Sequence, residues 1–296
     1  MTVLLAFISV VFIWGTTPLA LQWSIDHINF LFAVMARMVL GLTICLVAYG
    51  VTNSKIPLHK KAIFTYIAGG VGIFGAMTIT YWAAQFIPSG WISVIFGLST
   101  IMTGIMAYFW LNEPFGLERW VGLLFGVFGL SIIFIQGTTA DSQQTVWGIG
   151  AILLSTFIYT VSSVAVKKYG GSVPALATTT GSLVVAVPCF LAVWMVDGGQ
   201  MPQQLSLKVA TSIIYLGIMG SVVGFVLYYF ILQNMDASKA MLTTLLAPVV
   251  ALFLGTTLNG EVVNGRIIFG TGMILMGLSA YQWGGVLVTR FSKTRI

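Results

Sequence analysis

Apolar runs of about 20 residues, each long enough to cross a hydrocarbon layer roughly 30 Å thick, recur from one end of the chain to the other. In lipid, backbone polar groups are satisfied only in helices or closed barrels, and runs of this length are helical ones. Broken at polar residues, Gly and Pro, they give ten spans at about residues 3–23, 30–51, 62–85, 88–111, 119–137, 147–167, 174–196, 208–233, 238–258 and 266–289. The 296 residues are 58% hydrophobic and 7% charged, against roughly 25% charged in globular domains, which excludes an ordinary soluble core. No basic residue precedes the first run and no A-x-A-type cleavage site follows it, so it reads as a retained span, not a signal peptide.

The net charge of +6 does not gather into a basic patch with interleaved aromatics, as a nucleic-acid surface would, and no nucleic-acid partner is expected. The basic residues sit in loops instead. With the N-terminus inside, the cytoplasmic side holds Lys55, Lys60, Lys61, Arg119, Lys167, Lys168, Lys239, Arg290, Lys293 and Arg295, and the other side only Lys208 and Arg266. Short loops rich in Lys and Arg stay cytoplasmic, which predicts an even number of spans in the plasma (inner) membrane with both termini in the cytoplasm. Trp23, Trp91, Trp120 and Trp147 lie near span ends, as interface aromatics do. Cys45 and Cys189 fall inside apolar runs with no ligand spacing, so neither metal, cofactor nor structural disulfide is expected.

The two halves resemble each other at a shift of 148 residues. Tyr81 and Gln85 then fall on Tyr229 and Gln233, Gly69 and Gly72 on Gly217 and Gly220, Glu113 on Glu261, and Gly122, Gly129 and Leu130 on Gly270, Gly277 and Leu278. A repeat of five spans is odd, so the second copy enters the membrane from the opposite side. The expected fold is therefore an all-α integral membrane protein of ten helices, two inverted five-helix repeats around a central cavity. In such architectures the solute site lies near the midplane where the copies meet.

Candidate site residues are uncharged polar and aromatic side chains at helical spacing. The third span offers Thr78, Tyr81, Trp82 and Gln85; the eighth Phe225, Tyr229 and Gln233; the first Trp14, Thr17 and Pro18. The sixth adds Ser155, Tyr159, Ser162 and Ser163, the fourth Ser93, Phe96, Thr100 and Thr103, the ninth Thr244 and Pro248. Faces of this kind suit a cavity for a small organic solute. The competing reading is packing: small residues let helices approach, and hydroxyls bond back to their own carbonyls. Gly122, Gly126 and Gly129, with Gly270 and Gly277, read as packing stripes. No nucleophile, acid–base pair or metal cluster lies within the spans, as an intramembrane enzyme would need, and no continuous polar lining suggests a passive pore.

Trp14-Gly15, Phe32-Ala33 with Arg37, Tyr81-Trp82, Leu111-Asn112-Glu113, Tyr228-Tyr229, Ala247-Pro248-Val249 and Gly260-Glu261, in that order, resemble the drug/metabolite transporter superfamily and its EamA-like ten-helix branch. Thr100 stands where the family often has a proline, and Asn112 where a glycine usually precedes the glutamate. The resemblance implies two EamA-like repeats, 1–137 and 147–289, with 290–296 a short basic cytoplasmic tail. It implies a basket of helices around a cavity and an exporter or permease for amino acids, related metabolites or drugs. A multidrug or nucleotide-sugar-type carrier is the alternative within the superfamily. Glu113 and Glu261 are expected to cap or orient helices. The expected partners are the lipid bilayer and a small-molecule substrate; the oligomeric state stays open, a monomer being sufficient.

Arg37 lies about 10 Å into the second span at 1.5 Å per residue, where a charge costs on the order of 2.5 to 3.5 kcal/mol on insertion scales. Its candidate partners are Asp26, Glu261, carbonyls freed by Pro18, or a substrate carboxylate. The position matching it in the second half is Ser182. The expected substrate-binding set is thus Trp14, Thr17, Arg37, Thr78, Tyr81, Trp82, Gln85, Phe96, Thr100, Tyr159, Ser163, Tyr229, Gln233 and Thr244. Every Asp, Glu and His lies at or beyond a span end, which predicts no dedicated intramembrane proton site.

Overall fold

Polar residues set where the first turns begin. Thr2 Oγ1 accepts from the Leu5 N–H at 3.4 Å, His59 Nδ1 from Ala62 at 3.2 Å and Ser206 Oγ from Val209 at 3.3 Å, each satisfying an amide with no partner inside its helix. The computed structural model describes residues 2–293 except 53–54, 114–115, 117–119, 123, 127, 130, 133–142 and 263; side chains at 52, 245–246, 278 and 281–293 are also outside the description. The elements are α1 (Val3–Ser24), α2 (Phe30–Thr52), α3 (Lys60–Ala83), α4 (Ser89–Gly97), α5 (Ser99–Leu111), α6 (Gln143–Tyr169), α7 (Ala175–Val196) and α8 (Leu207–Tyr215). A π-helical stretch (Leu216–Val223) follows, then α9 (Gly224–Asn234), α10 (Ala237–Ala240), α11 (Thr243–Asn259) and α12 (Gly265–Lys293).

Among the described residues there is no strand, and seven helical segments are long and apolar enough to span a membrane: Val3–Ser24, Phe30–Val51, Lys60–Ala83, Ser89–Leu111, Gln143–Tyr169, Ala175–Val196 and Leu207–Asn234. The runs expected at 238–258 and 266–289 correspond to α10 with α11 and to α12. The described residues between 120 and 132 are helical, but much of the run expected at 119–137, and Arg119 with it, lies outside the described residues, as does the end of the basic tail. Large apolar side chains such as Phe12, Phe64, Phe109 and Phe253 are exposed; an apolar outer surface of this kind suits lipid.

The two parts of the chain interlock. Helix α3 packs on α6 and α7, α1 on α11, and α2 on α7 and the π stretch. Close approach is possible because glycines face hydroxyl residues: a Cβ on Gly72 would fall 2.0 Å from Ser162 Oγ, and one on Gly69 2.1 Å from Ser182 Oγ. Hydroxyls then bond across the seam, Thr80 to Ser155 at 2.7 Å, Ser155 to the Ala76 carbonyl at 2.8 Å and Ser162 to the Ala68 carbonyl at 2.9 Å. The expected glycine stripes do pack: a Cβ on Gly129 would lie 2.5 Å from the Gly270 carbonyl, and one on Gly277 2.7 Å from the Gly122 carbonyl.

Three runs read as continuous are interrupted. The fourth breaks at Leu98, between α4 and α5; the eighth widens into the π stretch; the ninth breaks at Met241–Leu242. No proline stands at any of these points, so apolar periodicity alone carried no sign of them. Trp91 also departs from expectation: it is buried in the core, whereas Trp120 and Trp147 are exposed.

Candidate functional site

The interruptions surround a cavity. Its wall takes Trp14, Thr17, Pro18 and Leu21 from α1, Arg37 from α2, Met77 and Thr80 from α3, and Ile92, Ser93 and Phe96 from α4. From the rest of the chain come Tyr159 of α6, Phe225 of α9, and Thr244 and Ala247 of α11. About 80 Å³ is open to the centres of water-sized molecules, room for several waters or part of a small solute. The two broken helices cross beside it: Thr100 Oγ1 donates to the Met241 carbonyl at 2.9 Å, and both Ser99 and Thr100 lie 3.1 Å from Thr244 Oγ1.

Aromatic rings form one side. Trp14 contacts Tyr228 with centroids 4.9 Å apart and Tyr159 at 6.1 Å; Tyr159 also meets Phe96 at 6.1 Å and Tyr228 at 5.9 Å. Tyr229 packs beyond them against Phe225 and Tyr228. Such rings supply large apolar area with defined geometry. The buried Tyr159 hydroxyl has no hydrogen-bond partner among the described residues; Ser163 and Tyr228 are close enough to interact with it but lie outside hydrogen-bond geometry.

Arg37 is 1% exposed. Its Nε donates to Ser221 Oγ at 2.8 Å and its Nη1 to the Tyr81 hydroxyl at 3.4 Å. The carboxylate partners expected for it are elsewhere. Asp26 faces Lys208 at 3.6 Å and His27 at 3.5 Å, while Glu261 accepts from Ser89 and Gly90. No Pro18-freed carbonyl accepts from it either; Arg37 has no backbone acceptor among the described residues. The physical reason is reach: both acids sit at helix ends, where shorter bonds to local donors hold them. Ser221, 184 residues away on the π stretch, carried no sequence signal.

Of the expected site residues, Trp14, Thr17, Arg37, Phe96, Tyr159 and Thr244 line the cavity. Tyr81 reaches it through Arg37, and Thr100 through Thr244; Ser163 and Tyr229 are buried behind the rings. Four fall away from it. Gln85 lies beyond the end of α3, exposed and donating to the Trp82 carbonyl at 3.0 Å; Gln233 donates to the Val173 carbonyl. Both amides are at span ends, where backbone carbonyls satisfy them. Thr78 bonds back to Phe74 at 2.7 Å, and Trp82 packs edge-on against Phe86 at 4.9 Å. Thr17 also bonds back, to Ile13 at 2.7 Å, yet remains in the wall. Leu21, Met77, Thr80, Ile92 and Ala247 line it too and were missed, because a face argument does not say how far along a helix the wall extends.

Glutamates close both ends of the arrangement. After α5, Asn112 is left-handed (φ 55°) and the Glu113 N–H bonds the Ala107 carbonyl at 3.1 Å; after α11, Gly260 is left-handed (φ 63°) and the Glu261 N–H bonds Gly255 at 3.0 Å. Asparagine tolerates this conformation better than other side-chain-bearing residues, so the departure at Asn112 preserves the geometry. The Glu113 carboxylate accepts from the Ala237 N–H at 3.0 Å and Ser238 Oγ at 2.5 Å, at the start of α10. Glu261 accepts from the Ser89 N–H at 3.0 Å, Ser89 Oγ at 2.5 Å and the Gly90 N–H at 3.2 Å, at the start of α4. Each therefore caps a helix in the other part of the chain.

The sequence finds its counterparts among transporters. The EamA-like transporter family matches residues 1–135 and 146–281. The chain is 25% identical to the uncharacterized transporter YoaV of Bacillus subtilis (strain 168), over 93% of its own length and 95% of the relative's. It is 26% identical to the WAT1-related protein At3g02690, chloroplastic, of Arabidopsis thaliana (92% and 67%), and 22% identical to the uncharacterized inner membrane transporter YedA of Escherichia coli (strain K12) (90% and 88%). One crystal structure shares the fold at a TM-score of 0.72 and 17% identity, covering 97% of both chains. With matches spanning nearly all of its length, the chain belongs to the EamA-like transporter family of the drug/metabolite transporters and is a membrane transporter.

Proposed function

We propose that the protein is a secondary transporter, an exporter or permease, that moves small amphipathic organic solutes such as amino acids or related metabolites by alternating access. The observation carrying this reading is the cavity walled jointly by residues of α1 to α4 and of α6, α9 and α11, with two interrupted helices crossing beside it. Discontinuous helices around a site shared by two repeats are a recurring plan of secondary transporters. Two family matches of similar length, the 148-residue internal similarity and the exchanged glutamate caps support ten helices in two inverted halves, 1–137 and 147–289. The reading places the chain in the plasma (inner) membrane with both termini and the basic tail in the cytoplasm, lipid and solute being its partners.

Counterflow in proteoliposomes tests it. Vesicles preloaded with an unlabelled solute should transiently accumulate the labelled solute from outside, and the rate should saturate. Flux that rises linearly with concentration and shows no exchange would identify a pore and end this reading. Membrane-impermeant labelling of single cysteines in the basic loops tests the orientation.

A further inference from the structure

We infer that the cavity is a monocarboxylate site: the solute presents one carboxylate to Arg37, lays an aromatic or branched apolar body against Trp14, Phe96 and Tyr159, and requires no cationic group. This rests on the transport reading for the solute's passage, though not for its binding.

Arg37 is a buried cation without a counter-ion among the described residues. A guanidinium is a permanent cation. Of its five N–H groups, two are used, both on neutral hydroxyls, which leaves three without an acceptor among the described residues. The five described carboxylates are all engaged elsewhere. Asp26 faces Lys208, Asp197 accepts from Asn29, Asp236 pairs with Lys239, and Glu113 and Glu261 hold helix starts. An intramembrane ion in such a position faces a cavity or a ligand more often than lipid, and Arg37 lines the cavity.

The backbone opposite is shaped to hold the guanidinium still. Ser221 lies on the π stretch, a local widening often found at functional sites, and a Cβ on Gly220 would come 2.8 Å from Arg37 Nη2. With Nε tied to Ser221 and Nη1 to Tyr81, the fork is oriented before any ligand arrives, and a carboxylate matches such a fork with two parallel bonds.

Charge balance narrows the class. One fixed cation in an apolar wall neutralises one negative charge; a dianionic phosphate would leave a surplus charge buried, which is costly. No acidic side chain lines the cavity among the described residues, so an ammonium has no anionic partner there and the carboxylate is the charge the wall recognises.

The test is thermal unfolding of the purified full-length protein in nanodiscs with 3-phenylpropionate, 3-phenylpropanol, phenethylamine and phenyl phosphate. Stabilisation should follow 3-phenylpropionate, with the alcohol, amine and phosphate ester weaker by about 10- to 100-fold in apparent affinity, the span expected for hydrogen bonds to a charged group. Arg37→Gln should lose the acid's effect by the same factor, Arg37→Lys should keep part of it, and Gly220→Ala should weaken it by displacing the guanidinium. Stabilisation by the amine or alcohol equal to that by the acid, or no response to any of a panel of aryl and branched alkyl monocarboxylates, would overturn the inference. If the Arg37 variants do not fold, the wild-type ligand series decides alone. Binding of the acid without counterflow would leave the site standing and remove the transport reading; counterflow of the amine without acid binding would do the reverse.

Discussion

The Glu113 and Glu261 ends of the molecule are built to one plan and finished differently. In both, a helix stops at a left-handed residue, the next N–H bonds a carbonyl six residues back, and the carboxylate crosses to cap a helix 124 or 172 residues away in sequence. The Glu261 end goes further. Asn259 donates to Glu261 at 3.2 Å and to Gln22 at 3.1 Å while accepting from Trp23 at 3.0 Å, and Gln22 donates to the Ile87 carbonyl at 2.7 Å, so α1, α4 and α11 are tied into one network. At the Glu113 end, among the described residues, two bonds reach α10, and Lys167, whose charge also interacts with Glu113 and Asp236, holds the carbonyls of Leu232 at 2.7 Å and Met235 at 2.8 Å. A connected network must be broken as a unit; separate bonds can yield one at a time. Among the described residues the Glu113 end has the smaller hydrogen-bonded network, and we predict that it is the easier one to open.

The largest expected effect comes from Glu261→Ala, which leaves two backbone N–H groups, a hydroxyl and an amide without their acceptor. Hydrogen bonds to charged groups contribute about 1.5 to 3 kcal/mol each and do not add, so we predict a loss of about 3 kcal/mol, read as a lower unfolding midpoint in nanodiscs. Glu113→Ala should cost about 2 kcal/mol by the same reasoning. It should also speed labelling of a Thr244→Cys reporter by an impermeant maleimide added on the Glu113 side. If Glu113→Ala destabilises as much as Glu261→Ala, the two ends are equivalent and the asymmetry is only apparent. Gly260→Ala puts a side chain at φ 63° and should cost about 1 kcal/mol. Asn112→Gly should change the midpoint least, within about 0.5 kcal/mol; a large shift would mean that the asparagine side chain, not its backbone conformation, matters at that end.

The shared plan was legible because it is local. Asn112-Glu113 and Gly260-Glu261 mark helix ends in the sequence, and the 148-residue register pairs them. Trp14, Phe96 and Tyr159 were legible for a similar reason, since bulky amphipathic rings recur at helical spacing. The breaks at Leu98 and Met241 were hidden because neither carries a proline or a polar run, and their reason lies in the crossing of Thr100 with Thr244 and Met241. Gln85 and Gln233 misled because helical spacing assigns a face but not a depth. Arg37 stood out at once, but its partners depend on tertiary contact with a stretch far along the chain.

That separation bears on how the protein is made. Ser221 follows Arg37 by 184 residues, which at synthesis rates of about 5–20 residues per second takes roughly 10–40 s. Throughout that interval the second span carries a cation whose neighbours on the π stretch do not yet exist. It must wait beside the translocation machinery, or with its guanidinium drawn toward an interface, until the later helices arrive. Ribosome-arrested chains ending before Ser221 should therefore leave the second span extractable or misplaced, and chains long enough to expose Asn234 should lock it in.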